Sequence, residues 1–242
     1  VSHYRMFVHW NTSMVICGVL FWNALTLLRS TEKKSNSLYH QEELDPIRKR
    51  VQIITWLTML SFATGVIVAA IDGANDFNTF PLMNGRIIPE GYLEAKNSLW
   101  RDLFENVATV QFHHRLISYV TYGFIMYSFL KSFRKNLPPS VKKALMALCF
   151  FNNALALDGL LVLLTKGYYL VGFSHQSNTI WLLASSLFAL HSLSLPSSIL
   201  SQRIPMRQNF REKRLPKEVE LTSRGQPTPQ QSKRKISGGQ SK

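Results

Sequence analysis

Charged side chains are scarce through most of this chain. Before residue 201 there are 17 Lys and Arg and 11 Asp and Glu, well below the roughly one in four usual for a soluble domain. The excess behind the net charge of +14 is concentrated in the last 42 of the 242 residues, where 11 basic side chains face three acidic ones. A mean hydropathy of −0.01 therefore averages two unlike texts. That distribution excludes a soluble basic nucleic-acid binder. Cysteine is nearly absent: Cys17 and Cys149 lie in different apolar runs, which excludes a disulfide framework or a paired-Cys zinc site and reads as two small core residues. Also missing are an initiator Met and a targeting presequence, so the chain, which opens at Val1 almost inside an apolar run, reads as a piece of a longer protein.

What is present is apolar length. A bilayer core of about 30 Å needs about 20 mostly apolar residues in a helix, and five stretches qualify: 6–28, 51–71, 107–130, 144–165 and 178–195. Their only formal charges are Arg115 and Asp158. The expected fold is all-α, a polytopic membrane helix bundle with five spans. Orientation follows from the connections, because Lys and Arg in short loops stay on the side of insertion. The loop 29–50 carries six basic residues and 131–143 carries five, against three in 72–106 and one in 166–177. Helices one, three and five therefore run toward the positive side, which is the cytoplasm in a bacterium or the matrix in a mitochondrion. The segment 199–242, rich in Ser, Gln, Gly and Pro among its basic residues, cannot bury an apolar face and is expected to be disordered. Its Lys233, Arg234 and Lys235 suit a solvated positive tail better than a membrane-surface or nucleic-acid contact.

Ionisable groups inside spans are costly and mark functional sites by default. His9 opens span one, His114 lies about two turns into span three, and His175 just precedes span five. All three spans start on the side opposite the positive loops, the outer side, whereas spans two and four contain no His. A neutral imidazole is the usual protein ligand of haem iron, and two from facing helices can fill both axial positions. Each His alone would read as a hydrogen-bonded interfacial residue; three in alternate helices point to cofactor binding. His113 points about 100° away from His114 around the helix, and His191 lies near the inner end of span five. A faint repeat relates the text after His9, Trp-Asn-Thr-Ser, to that after His175, Gln-Ser-Asn-Thr, as if spans one and five were equivalent helices of two related halves. On these boundaries His114 is deeper than His175, so either the apolar segment 168–173 enters the membrane or span five starts earlier.

The outer loop carries a specific text: Asn78-Thr-Phe-Pro-Leu-Met83, Ile88-Pro89, Phe104-Glu-Asn106 and then Val110-Gln-Phe-His-His-Arg115, with Ser174-His-Gln-Ser177 opening the last span. In these motifs residues 1–195 resemble the C-terminal part of the haem A synthase family, which oxidises haem O to haem A during cytochrome c oxidase assembly. The resemblance implies an oxidoreductase built from two four-helix halves, one holding a haem b cofactor and the other the haem O substrate. It divides the chain into 1–28, the last helix of the substrate-side half; 29–50, a matrix-side loop; 51–198, a four-helix haem b half with outer loop 72–106; and the tail 199–242. His114 and His175 would be the haem b axial ligands and His9 a substrate-haem ligand. The catalytic acidic residue and the other substrate-side His would lie in earlier helices. Arg86 and Arg115 are candidates for haem propionate contacts; an ordinary loop charge and an interfacial side chain are their respective alternatives.

The same resemblance implies a mitochondrial inner-membrane protein with its basic tail in the matrix. Its partners would be a haem O synthase, an electron-transfer protein and the lipid bilayer, with no nucleic acid and with a homo-oligomer left open. Two positions depart from the family pattern: His113, where an acidic residue is common, and Asp158-Gly159 with Leu155, where a polar residue usually precedes the helical Gly. Asp158 is protonated, paired with another helix, or drifted. A non-enzymatic b-type cytochrome and a transporter with a His-lined pathway are the alternative functions.

Overall fold

The structure, a computed structural model, describes residues 2–29, 41–94 and 98–194, which fall within one compact unit. The tail 199–242, including Lys233, Arg234 and Lys235, and most of the connection after Arg29 lie outside the described residues. Among the described residues six α-helices form: α1 (His3–Leu28), α2 (Gln41–Ala70), the short α3 (Leu99–Glu105), α4 (Val107–Phe133), α5 (Pro139–Leu164) and α6 (Tyr169–Ser192). Among the described residues there is no strand. The all-α expectation holds.

Three helices, His3–Leu28, Glu43–Ala70 and Pro139–Leu164, are long and apolar enough to cross a membrane. α4 and α6 have the length but not the apolarity, because they carry more polar residues, many of which point inward. Thr109, Gln111, Arg115, Thr121, Ser128 and Ser132 of α4 are buried, as are Thr179, Ser185, Ser186, His191 and Ser192 of α6. Both helices turn a polar face inward.

The packing forms a closed ring. α2 meets α4, α4 meets α5, α5 meets α6, and α6 returns to α2, so that α4 and α6 stand on one diagonal. α1 lies outside the ring against α2 and α6. The inner half of the ring is filled by Leu44, Ile47, Val51, Ile54, Ile125, Leu137, Val141, Leu148, Leu182 and Leu193. A second cluster, Met14, Phe62, Val66 and Leu183, joins α1 to the ring. His191 helps fasten α1: its Nε2 lies 3.3 Å from Thr26 Oγ1, and its ring packs edge-on to Trp22 at 5.2 Å. Cys17 is exposed on α1 and Cys149 half-buried; both are free thiols.

Two helix starts lie furthest ahead of expectation. α2 begins at Gln41 within the basic connection, because Leu44, Ile47, Val51 and Ile54 continue one buried helical face through a charged stretch. α6 begins at Tyr169, nine residues ahead of the expected span start at 178. Gly167, at φ +75°, ends α5 by donating its N–H to Val162 O at 2.8 Å, and Tyr168 then starts the next helix directly.

Candidate functional site

With α6 starting at Tyr169, the depth mismatch between the histidines disappears. His114 is the eighth residue of α4 and His175 the seventh of α6, so at about 1.5 Å per residue the two rings enter from the outer end at nearly the same level. They lie within electrostatic range of each other. Each is seated on a glycine of the neighbouring helix. A Cβ at Gly65 of α2 would stand 2.9 Å from His114 Cε1, and one at Gly159 of α5 would stand 3.2 Å from His175 Cε1. Gly65 and Gly159 are each the sixth residue from the end of their helices. The hairpins α2/α4 and α5/α6 thus present equivalent glycine–histidine pairs across the ring.

Behind the rings the two sites differ. His114 Nδ1 lies 3.1 Å from Thr64 Oγ1. His175 Nδ1 is buried without a hydrogen bond of ordinary geometry, although the Leu155 carbonyl and the Asp158 carboxylate are beside it. Asp158, within α5, is paired with α6: its Oδ2 accepts from Asn178 Nδ2 at 2.6 Å and from Ser174 Oγ at 3.1 Å. Those donors bracket His175, so the carboxylate fixes the stretch of α6 that carries it. Of the three readings open for Asp158, the structure shows pairing with another helix.

The loop after α2 is fastened over the outer end by side chains from the first turns of α4. Gln111 Nε2 donates to Gly73 O at 2.6 Å and Asp76 O at 2.9 Å. Arg115 donates to Thr79 O at 2.9 Å and to Phe77 O. Asn78 Nδ2 reaches Leu163 O of α5 at 3.0 Å. The loop therefore bridges α4 and the end of α5. Arg115 is buried, and its Nε has no partner. Arg86 is exposed in an ion pair with Glu90 at 2.6 Å; no described contact ties it to the histidines. His113 turns to the loop, its Nε2 lying 3.1 Å from Tyr92 OH, which leaves His114 alone facing the ring interior. His9 is exposed on α1, with its ring edge toward Trp10 at 6.4 Å, and the structure does not bring it to the other two. Sequence reasoning missed Thr64, Gly65, Asn178 and Tyr92; a Thr-Gly pair in an apolar run is also ordinary helix packing, so only its histidine partner distinguishes it.

This arrangement defines a helical membrane protein whose bundle offers two imidazoles at one depth. The chain belongs to the cytochrome oxidase assembly protein family (COX15-CtaA), whose pattern it matches over residues 1–187. It is 31% identical over 193 residues to a Heme A synthase of Granulibacter bethesdensis, covering 80% of this chain and 48% of that protein. It is 30% identical over 212 residues to Heme A synthase COX15 of Arabidopsis thaliana, covering 87% and 46%. A Heme A synthase of Azorhizobium caulinodans is 36% identical over 124 residues, covering 51% and 33%. The chain spans about half the length, or less, of these relatives. No solved structure matches it.

The residues present fit a haem. Among the described residues no group of three His, Cys, Asp or Glu could hold a bare metal ion, whereas haem iron needs only two axial donors from the protein. The two glycine seats admit the rings between helices, and His175 Nδ1 is buried without a hydrogen bond of ordinary geometry.

Proposed function

We propose that this chain supplies the haem b half of a haem A synthase, with His114 and His175 as axial ligands and haem O as the substrate of the whole enzyme. The observation that carries the reading is the pair of imidazoles at matched depth on diagonal helices, each seated on a neighbouring glycine. When bound, haem b supplies a one-electron relay for electrons withdrawn as the ring methyl of haem O is oxidised to a formyl group with water as the oxygen source. The protein's part is positional. His114 and His175 would hold the haem between them, so that it would relay electrons instead of binding oxygen. Asp158 holds the segment of α6 around His175. Gln111 and Arg115 hold the loop across the outer end of the bundle.

Arg115 Nε is the donor left for a propionate, and Arg86 would contribute only by leaving Glu90. His9, exposed on α1, belongs on this reading to the substrate-side half. The five long helices α1, α2, α4, α5 and α6 each cross the mitochondrial inner membrane, with the basic tail in the matrix. A haem O synthase and an electron acceptor are the partners.

The test is the absorption spectrum of haem held by the chain in membranes. His114→Ala or His175→Ala abolishes the low-spin bis-imidazole spectrum, and His9→Ala spares it. An unchanged low-spin spectrum in either of the first two variants rules out the assignment. Haem A recovered from cells only when the intact protein is present supports the synthase; bound haem b with no haem A supports an electron-transfer cytochrome, and no bound haem leaves a transporter.

A further inference from the structure

His114 is gripped by two consecutive residues of α2. Gly65 provides the space its ring occupies, and Thr64 touches Nδ1 at 3.1 Å. The direction of that hydrogen bond follows from the hydroxyl's other contacts. Thr64 Oγ1 lies 3.0 Å from Ser61 O and 3.1 Å from Leu60 O. Carbonyl oxygens only accept, so the single hydroxyl proton is committed to the helix backbone. Toward the imidazole the oxygen can only accept. His114 therefore carries its proton on Nδ1, with the Ser61 carbonyl a further acceptor beside the ring, and its Nε2 keeps the lone pair that a metal requires. His175 has no equivalent contact at Nδ1.

We propose that Thr64 is a positioning residue for haem binding: its hydroxyl accepts His114 Nδ1–H, sets the ring's rotation and tautomer, and aims Nε2 at the iron. The proposal rests on the haem b assignment above. Partners behind metal-bound imidazoles orient the ring and raise its basicity, and losing one typically costs about 10- to 100-fold in metal affinity. The ligand pair is consequently unequal. His114 is held ready before haem arrives, and His175 adjusts to it.

The experiment is haemin titration of the purified full chain in nanodiscs, followed by the Soret band and by electron paramagnetic resonance of the ferric form. Thr64→Val keeps shape and volume but removes the acceptor, and is expected to weaken haem binding by about 10- to 100-fold and to broaden or lose the low-spin signal. Thr64→Ser keeps the hydroxyl and restores both. Melting of the haem-free chain separates positioning from folding, since the haem-free Thr64→Val variant is expected to unfold as the wild type does. Should Thr64→Val not accumulate, Thr64→Ala carries the same comparison. Wild-type affinity and spectrum in the Val variant, or a Ser variant as weak as Val, overturns the role of the hydroxyl while leaving the haem assignment intact. A wild-type chain that takes up no haem overturns both.

Discussion

Gly65 and Gly159 act through what they lack. A methyl at either position meets an imidazole carbon, at 2.9 Å for His114 and 3.2 Å for His175, and forcing extra volume into a packed site costs about 1–3 kcal/mol. The two substitutions should differ, because the contact at Gly65 is the closer and the His114 ring is also tied to Thr64, whereas His175 Nδ1 makes no hydrogen bond of ordinary geometry. Gly65→Ala is therefore expected to weaken haem retention more than Gly159→Ala, measured as the rate of haem loss to apomyoglobin. Equal rates would argue against a tied and an untied ring. Of these residues the histidines were legible in the sequence, since an intramembrane His is expensive and stands out. Gly65 was not, because a glycine in an apolar helix looks the same whether it faces lipid, a leucine or a ligand. Asp158 was conspicuous but ambiguous: its partners Ser174 and Asn178 belong to another helix, and no local pattern links them.

At the scale of elements, α4 does two jobs with successive turns. His114 faces the ring, while Gln111 and Arg115, one turn apart, hold the loop that follows α2. Arg115→Met removes the charged donors to Phe77 O and Thr79 O, and a hydrogen bond from a charged group contributes about 1.5–3 kcal/mol. The expected result is faster amide exchange confined to residues 73–79 with the helix content unchanged; unaltered exchange there would show that Arg115 is not the fastener. The existence of the long helices was readable from apolar runs, but their starts were less so. Ser174, His175, Gln176 and Ser177 read as a loop because they are polar in a row. They are helical because α5 supplies their partners: a carboxylate for Ser174 and Asn178, and a glycine seat for His175. In α2 the charged start hides a buried face that the apolar run alone did not reveal.

For the whole molecule, the charge asymmetry of the connections predicts one orientation, with the histidines toward the outer side and the apolar core toward the inner side. It is checked by single cysteines introduced into a chain with Cys17 and Cys149 replaced by Ala, labelled in sealed vesicles with a membrane-impermeant maleimide. Ile87→Cys in the outer loop and Lys142→Cys at the start of α5 should react from opposite sides. Labelling of both from one side would mean that α4 does not cross the membrane.

The class of protein was determined by the sequence alone, which also singled out His114 and His175 as candidate ligands, because burying charge in a bilayer is so costly that charge-free runs and stray imidazoles are strong local signals. The tertiary structure decided which histidines share a level, which helix each ring leans on, what Asp158 pairs with and that His113 faces the loop. Those depend on helix starts and on contacts between residues far apart in the chain, where a shift of one or two residues along a helix is enough to turn a ring from the interior to the lipid.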